Sequence, residues 1–245
     1  MFSTLNESAL HKSLKIFYAE RYGGKTEVQV EQWICDIVCD EKTVIEIQTK
    51  SVSSLHKKAA ALLARGKKVI IVHPIITRKK IRTFDASGKE IYAKASPKKE
   101  SVYSMLRELT GLCDILLHEN FSLVCPLITT EEKRVQTEEP EQSKNGRRRF
   151  KKAWQKTDKS LVSIEGEIIF RGKENYIALL PAALPEEFSS AELSHFLEKE
   201  GKPYANLILW LLYKMNLIER TGKKGRLFYY RQKKIARQKP RHFTK

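Results

Sequence analysis

No apolar run in this 245-residue chain approaches the ~20 residues needed to span a bilayer. The opening, Met1 to Glu7, lacks a basic stretch followed by an apolar one, so no signal peptide is expected. Cysteine is sparse. Cys35, Cys39, Cys113 and Cys125 form no CxxC pair, which disfavours a zinc cluster. All four are expected to be reduced thiols, and the protein cytoplasmic. The chain also lacks GxxxxGK[ST], GxGxxG, GxSxG and HExxH. Those absences disfavour an NTPase, a dinucleotide enzyme, an α/β-hydrolase and a zincin.

What the chain has in excess is positive charge. Forty-six Lys and Arg stand against 29 Asp and Glu, a net charge of +17. A surface of that kind calls for a polyanion, with DNA the first expectation and RNA the second. The excess is clustered. Residues 144–159 (KNGRRRFKKAWQKTDK) hold eight Lys or Arg against one Asp, and residues 219–245 hold eleven against one Glu. Arg147, Arg148, Arg149, Lys151 and Lys152 of the first run are candidate phosphate contacts. A homodimer is left open.

The segment 131–145 (EEKRVQTEEPEQSKN) is polar, contains Pro140 and shows no apolar periodicity, which reads as a linker. This gives a first domain at 1–130, an acidic-then-basic linker at 131–159, a second domain at 160–233 and a basic tail at 234–245.

In the first domain, Thr4 followed by Glu7 is a capping-box pattern. Leu10, Leu14 and Phe17 then recur at helical spacing up to Gly23-Gly24. EVQV (27–30), WICDIVC (33–39) and TVIEIQT (43–49) read as strands. SSLHKKAAALLARG (53–66) reads as a second helix, and KVIIVHP (68–74) as a buried strand. A hairpin about Ser87-Gly88, a helix over 99–110 and a strand over 121–128 follow. The class is α/β with a mixed sheet.

The turn at Asp40-Glu41-Lys42 fixes the pairing of the second and third strands, and that register sets Asp36 opposite Glu46. Directly opposed residues have Cβ atoms about 4.5–5.5 Å apart. Glu46, Gln48 and Lys50 are expected to alternate along the same face. Two adjacent carboxylates repel unless a cation or proton sits between them, and such hard oxygen ligands suit Mg²⁺ or Mn²⁺. The same spacing also fits a solvated strand face. His11, His56 and His73 read as structural, and Lys57 and Lys58 as a solvated helix face, with phosphate contact the alternative.

The order α-β-β-β-α-β, with Asp36 on the second strand and Glu46-Ile47-Gln48 on the third, resembles the core of the PD-(D/E)xK nuclease superfamily over about residues 4–75. The resemblance implies a restriction-endonuclease-like fold, an Mg²⁺ or Mn²⁺ ion on Asp36 and Glu46, and phosphodiester hydrolysis. It departs from the motif at the lysine, which is Gln48. An ExQ form occurs in some restriction enzymes of the superfamily, and Lys50 is a candidate substitute cation. Glu7 has two readings: the capping box, or, by the resemblance, a third metal ligand from the first helix. The phrase IEIQTKS with the following VIIVHPI strand also resembles a group of uncharacterised bacterial proteins with this domain pair.

In the second domain, KENYIALLPAA (173–183) reads as a helix. Ser189 with Glu192 is another capping box, and Pro203 suits the first turn of a further helix. LIERT and RLFYYR flank the turn GKKG (222–225). The series resembles a winged helix. Such domains set the second helix of the pair in the major groove and the wing against the backbone. Leu207, Trp210, Leu211 and Met215 read as core. Tyr204 and Asn206 are then candidate base contacts, and Lys223, Lys224 and Arg226 candidate phosphate contacts. The combined expectation is a metal-dependent nuclease delivered to DNA by its C-terminal domain. The alternative is a non-catalytic DNA-binding protein on a degenerate nuclease fold.

Overall fold

The computed structural model describes residues 8–143, 146 and 149–233. It divides into two compact units, Met1–Asn175 and Tyr176–Lys245.

The first unit is mixed α/β. Helix α1 (Ala9–Tyr22) begins at Ser8, whose side chain accepts the His11 N–H, and ends at Gly23, whose positive φ of 64° closes the helix. The start expected from Thr4 and Glu7 therefore gives way to a cap at Ser8; Thr4 and Glu7 lie outside the described residues. Strands β1 (Lys25–Val30), β2 (Trp33–Val38) and β3 (Thr43–Ile47) run antiparallel in sequence. A 3₁₀ turn (Val52–Leu55) leads into α2 (His56–Ala64), and β4 (Lys68–Val72) returns parallel to β3. The expected helix–three strands–helix–strand order is thus present. Next come β5 (Ile75–Phe84), β6 (Glu90–Ala95), the short α3 (Val102–Met105) with a 3₁₀ turn to Leu112, β7 (Phe121–Glu141) and β8 (Lys152–Phe170). The sheet order is β1-β2-β3-β4-β7-β5-β6, with β8 paired to β7.

Leu10, Leu14 and Tyr18 of α1 pack on Ile37, Ile45, Ile47, Val72, Val124 and Ile128. The alternate positions Val44, Glu46, Val69 and Ile71 are buried too. They lie on the face covered by α2, which buries Ala59, Leu62 and Leu63. Period-two alternation with both faces covered explains why these strands carry almost continuous apolar runs.

The segment expected to be a linker is strand. β7 continues to Glu141 and pairs with β8 through Glu132↔Lys159, Lys133↔Asp158 and Gln136↔Trp154. Glu132 ion-pairs across the strands with Lys156 of β8 (3.6 Å) and Lys79 of β5 (3.5 Å), and cross-strand charge pairs contribute roughly 0.2–1 kcal/mol each. A ribbon held by such pairs has no apolar stripe to read. Pro140 sits next to the last strand residue, where a missing N–H costs little. The domain boundary moves accordingly, from 130 to about 175.

In the second unit, α4 (Gly172–Ile177), which spans the division, is followed by β9 (Glu187–Ser189), α5 (Ser190–Phe196), α6 (Ala205–Lys214), β10 (Ile218–Lys224) and β11 (Leu227–Gln232). The Ser189–Glu192 capping box forms as expected. The three strands order as β10-β11-β9. The β10–β11 turn falls at Gly225-Arg226, so Lys223 and Lys224 are strand residues paired with Phe228 and Leu227. No described helix is long and apolar enough to cross a membrane.

Candidate functional site: a carboxylate pair at the opening of two strands

The β2–β3 turn is closed by Asp40, whose Oδ1 accepts the N–H groups of Lys42 (2.7 Å) and Thr43 (2.8 Å). The resulting ladder pairs Val38 with Val44 and Ile37 with Ile45, and there it stops. The next pair in that register is Asp36 and Glu46, in keeping with the turn. Beyond the last rung, Asp36 Oδ2 accepts the Ile47 N–H at 2.8 Å, taking the place of a main-chain carbonyl. His11 of α1 reaches the same oxygen, with Nε2 at 3.5 Å. Burial opposes ionisation of Asp36, but the hydrogen bonds from His11 and Ile47 outweigh it and hold its pKa below the ordinary carboxylate value.

Glu46 is the deeper of the two, 4% exposed. Its Oε2 lies 2.6 Å from Lys58 Nζ, and its Oε1 is buried with no hydrogen-bond partner among the described residues. Burial pushes its pKa up to about 7, the Lys58 ammonium pulls it down, and the Asp36 charge adds to the rise. Lys58 also donates to the Ile34 carbonyl at 2.6 Å. It shares a face with Leu62, four residues on, so the packing that buries Leu62 turns Lys58 inward. Its expected place on a solvated helix face is therefore corrected. Cys35 lines the same spot; burial and the Glu46 charge push its thiol up to about 12, which leaves it an inert wall.

Gln48 and Lys50 do not extend the site along a strand, because β3 ends at Ile47. The Gln48 amide brackets the entry to α2, accepting from Lys50 N (3.0 Å) and donating to Ser54 Oγ (3.1 Å). Lys50 itself is exposed. The cation beside the carboxylates is thus Lys58, not Lys50. His73 Nδ1 donates to the Gln48 carbonyl at 2.6 Å, and His56 pairs with Asp114 at 2.9 Å. Glu7, Arg147 and Arg148 lie outside the described residues. Among the described residues, no group of three or more His, Cys, Asp or Glu is arranged to hold a metal.

Of the expected nucleic-acid contacts, Arg149, Lys151 and Lys152 are exposed near the start of β8. Asn206, Lys223, Lys224 and Arg226 are exposed, and Tyr204 is half-buried. Trp210 is not core: it is 41% exposed, beside Lys214, while Ile208, Leu209, Leu211 and Leu212 are buried. Trp210 lies about 200° around the helix from Ile208, which turns it outward. On the adjoining surface the Arg220 guanidinium lies 4.6 Å from the Tyr213 ring centroid and 4.2 Å from that of Phe228. Sequence reasoning missed this aromatic–cation surface; the 208, 211, 212, 215 spacing of apolar residues was the signal for it.

The first unit is thus a mixed α/β domain with a carboxylate pair where two of its strands part. The chain belongs to the family described as "Domain of unknown function (DUF8091)", which matches residues 8–171 and so takes in the β7–β8 hairpin. It is also similar to a protein of Treponema pallidum (strain Nichols) described as "Uncharacterized protein", 31% identical over 230 residues, 94% of this chain and 87% of that one. No solved structure matches the chain.

Proposed function

We propose that the protein is a divalent-metal-dependent nuclease of the PD-(D/E)xK type whose second unit, a winged helix, binds DNA. The observation that carries the reading is the buried Glu46 carboxylate beside Asp36, whose Oε1 has no hydrogen-bond partner among the described residues. An unmatched buried acceptor costs about 1–3 kcal/mol, more when charged, and a cation satisfies it. Two carboxylates suffice for Mg²⁺, which keeps several waters and takes further ligands from substrate phosphate. Asp36 and Glu46 would hold the ion, and Glu7, from the stretch before α1, remains a proposed third ligand. Such an ion polarises a phosphoryl oxygen and lowers the pKa of bound water. The chain's own part is to fix Asp36 through His11 and Ile47, and to keep one ammonium, Lys58, at the pair in place of the motif lysine. The topology supports the same reading, with antiparallel β1-β2-β3 and a helical crossover to the parallel β4. In the second unit, α5, α6 and the β10–β11 hairpin follow the winged-helix order, with the Lys223, Lys224 and Arg226 cations at the hairpin end.

A second reading, a DNA-binding protein on a degenerate nuclease fold, is favoured by the Lys58–Glu46 ion pair at 2.6 Å, which occupies one carboxylate oxygen without any metal. Incubating the purified chain with labelled DNA and RNA in Mg²⁺, Mn²⁺ or EDTA separates the two. Cleavage that EDTA stops supports the nuclease. Binding with no cleavage under any condition supports the second reading.

A further inference from the structure

The ribbon formed by β5, β7 and β8 carries a charge arrangement that folding alone leaves unbalanced. Thr130, Glu132 and Arg134 alternate on one face of β7. Lys79 of β5 lies opposite Thr130, while Lys159 and Lys156 of β8 lie opposite Glu132 and Arg134. Glu132, 6% exposed, sits in the middle. Its Oε1 accepts from Arg134 Nη2 (2.5 Å) and Nε (2.7 Å), and its Oε2 stands 3.5 Å from Lys79 and 3.6 Å from Lys156. The Arg134 guanidinium also lies on Trp154, 3.6 Å from the ring centroid, so it is held from two sides. Lys159 is half-buried, and its ammonium has no ion-pair partner among the described residues. Burial and then the Lys156 charge push its pKa down to about 8, with Glu100 pulling it up, Lys79 adding to the fall and Glu132 opposing it. Glu100 is committed to the Ile76 N–H at 3.0 Å. Four cations thus share one central carboxylate and a second, already engaged one. Crowded ammonium groups of this kind call for an anion with several acceptor oxygens.

We infer that Lys79, Lys156 and Lys159, gathered around Glu132, bind a backbone phosphate of a nucleic-acid strand, with Arg134 as the residue that positions Glu132. The strand is the occupant because Lys156, 43% exposed, opens the cluster to solvent, and because the exposed Lys152 begins the same strand, β8. The inference rests on the reading of the chain as a nucleic-acid-binding protein.

The test measures binding of the full chain to labelled single-stranded and duplex oligonucleotides by fluorescence anisotropy, in EDTA, at several salt concentrations. Lys79→Ala, Lys156→Ala and Lys159→Met, singly and together, should each lower the slope of log affinity on log salt by about 0.9 for duplex or 0.7 for single strands. That is roughly eightfold or fivefold in affinity for each lysine at 0.1 M relative to 1 M salt. Lys159→Arg should retain binding. In a lysine-detected NMR titration of the wild type, the oligonucleotide should raise the Lys159 pKa. An unchanged salt slope in the triple variant, or a Lys159 pKa indifferent to the oligonucleotide, overturns the site. So does a response to inorganic phosphate alone. Binding that depends on these lysines without any cleavage keeps this site and rejects the nuclease reading; cleavage with an unchanged slope does the reverse.

Discussion

Lys58 Nζ lies 2.6 Å from Glu46 Oε2, although the two residues are twelve apart and come from a helix and a strand. That pair holds the Glu46 carboxylate partly ionised in a place where burial would otherwise keep it neutral. Removing Lys58 takes away the balance. Lys58→Met should destabilise the first unit by about 2–3 kcal/mol at pH 8, somewhat under the usual cost of breaking a buried pair, because Glu46 can take up a proton. At pH 5 Glu46 is neutral in either protein, so the loss should be smaller. Urea unfolding at the two pH values measures the difference. The same change should slow any cleavage severely, whereas Lys50→Ala should leave it within about twofold, since Lys50 is exposed and beyond the strand.

The raised pKa of Glu46 also sets the pH dependence of ion binding. Its folded value, about 7, lies above the ordinary 4.5, so a proton competes with a metal below neutrality. Mn²⁺ affinity should fall about tenfold between pH 8 and pH 6, as the ionised fraction does. A titration followed by calorimetry at both pH values checks it. A pH-independent affinity would place the ion elsewhere.

Lys159 predicts a trade between stability and binding. Its folded pKa, about 8, is below the ordinary 10.5, so the unfolded chain binds more protons between those values and stability rises with pH across that window. Below pH 8 the charged amine destabilises the fold. Lys159→Met should therefore raise the thermal midpoint by a few degrees at pH 7, with the gain vanishing by about pH 10.5, while it weakens nucleic-acid binding. Differential scanning calorimetry across pH 7 to 10.5 follows this. A variant less stable than the wild type at pH 7 would contradict it.

On the second unit, Lys223→Ala, Lys224→Ala and Arg226→Ala together should lower the salt slope of duplex binding by up to about 2.7, near 0.9 for each phosphate no longer neutralised. Trp210→Ala, from an exposed position, should leave folding within about 0.5 kcal/mol. Unchanged DNA affinity in the triple variant at all salt concentrations would argue for a protein-binding surface.

Much of the first unit is legible in the sequence because its signals are local. A three-residue turn and β-branched strands fix the β2–β3 register, and with it the proximity of Asp36 and Glu46. Lys58 is hidden because a Lys-Lys pair on a helix reads as solvated unless its relation to Leu62 is weighed. Gln48 and Lys50 read as strand residues by alternation, yet the strand ends one residue before Gln48. The β7–β8 ribbon reads as a linker because charge pairs, not apolar alternation, hold its far half. Trp210 reads as core when the apolar stripe of α6 is drawn one position off.

The nuclease reading requires that Asp36 and Glu46 bind a divalent ion. Isothermal calorimetry of Mn²⁺ into the full chain at pH 8 measures this directly, with Asp36→Ala as the comparison. The expected result is one saturable binding event in the wild type that Asp36→Ala abolishes while its unfolding transition stays cooperative. No binding in the wild type, or binding undiminished in Asp36→Ala, would contradict the ion site and the nuclease reading built on it.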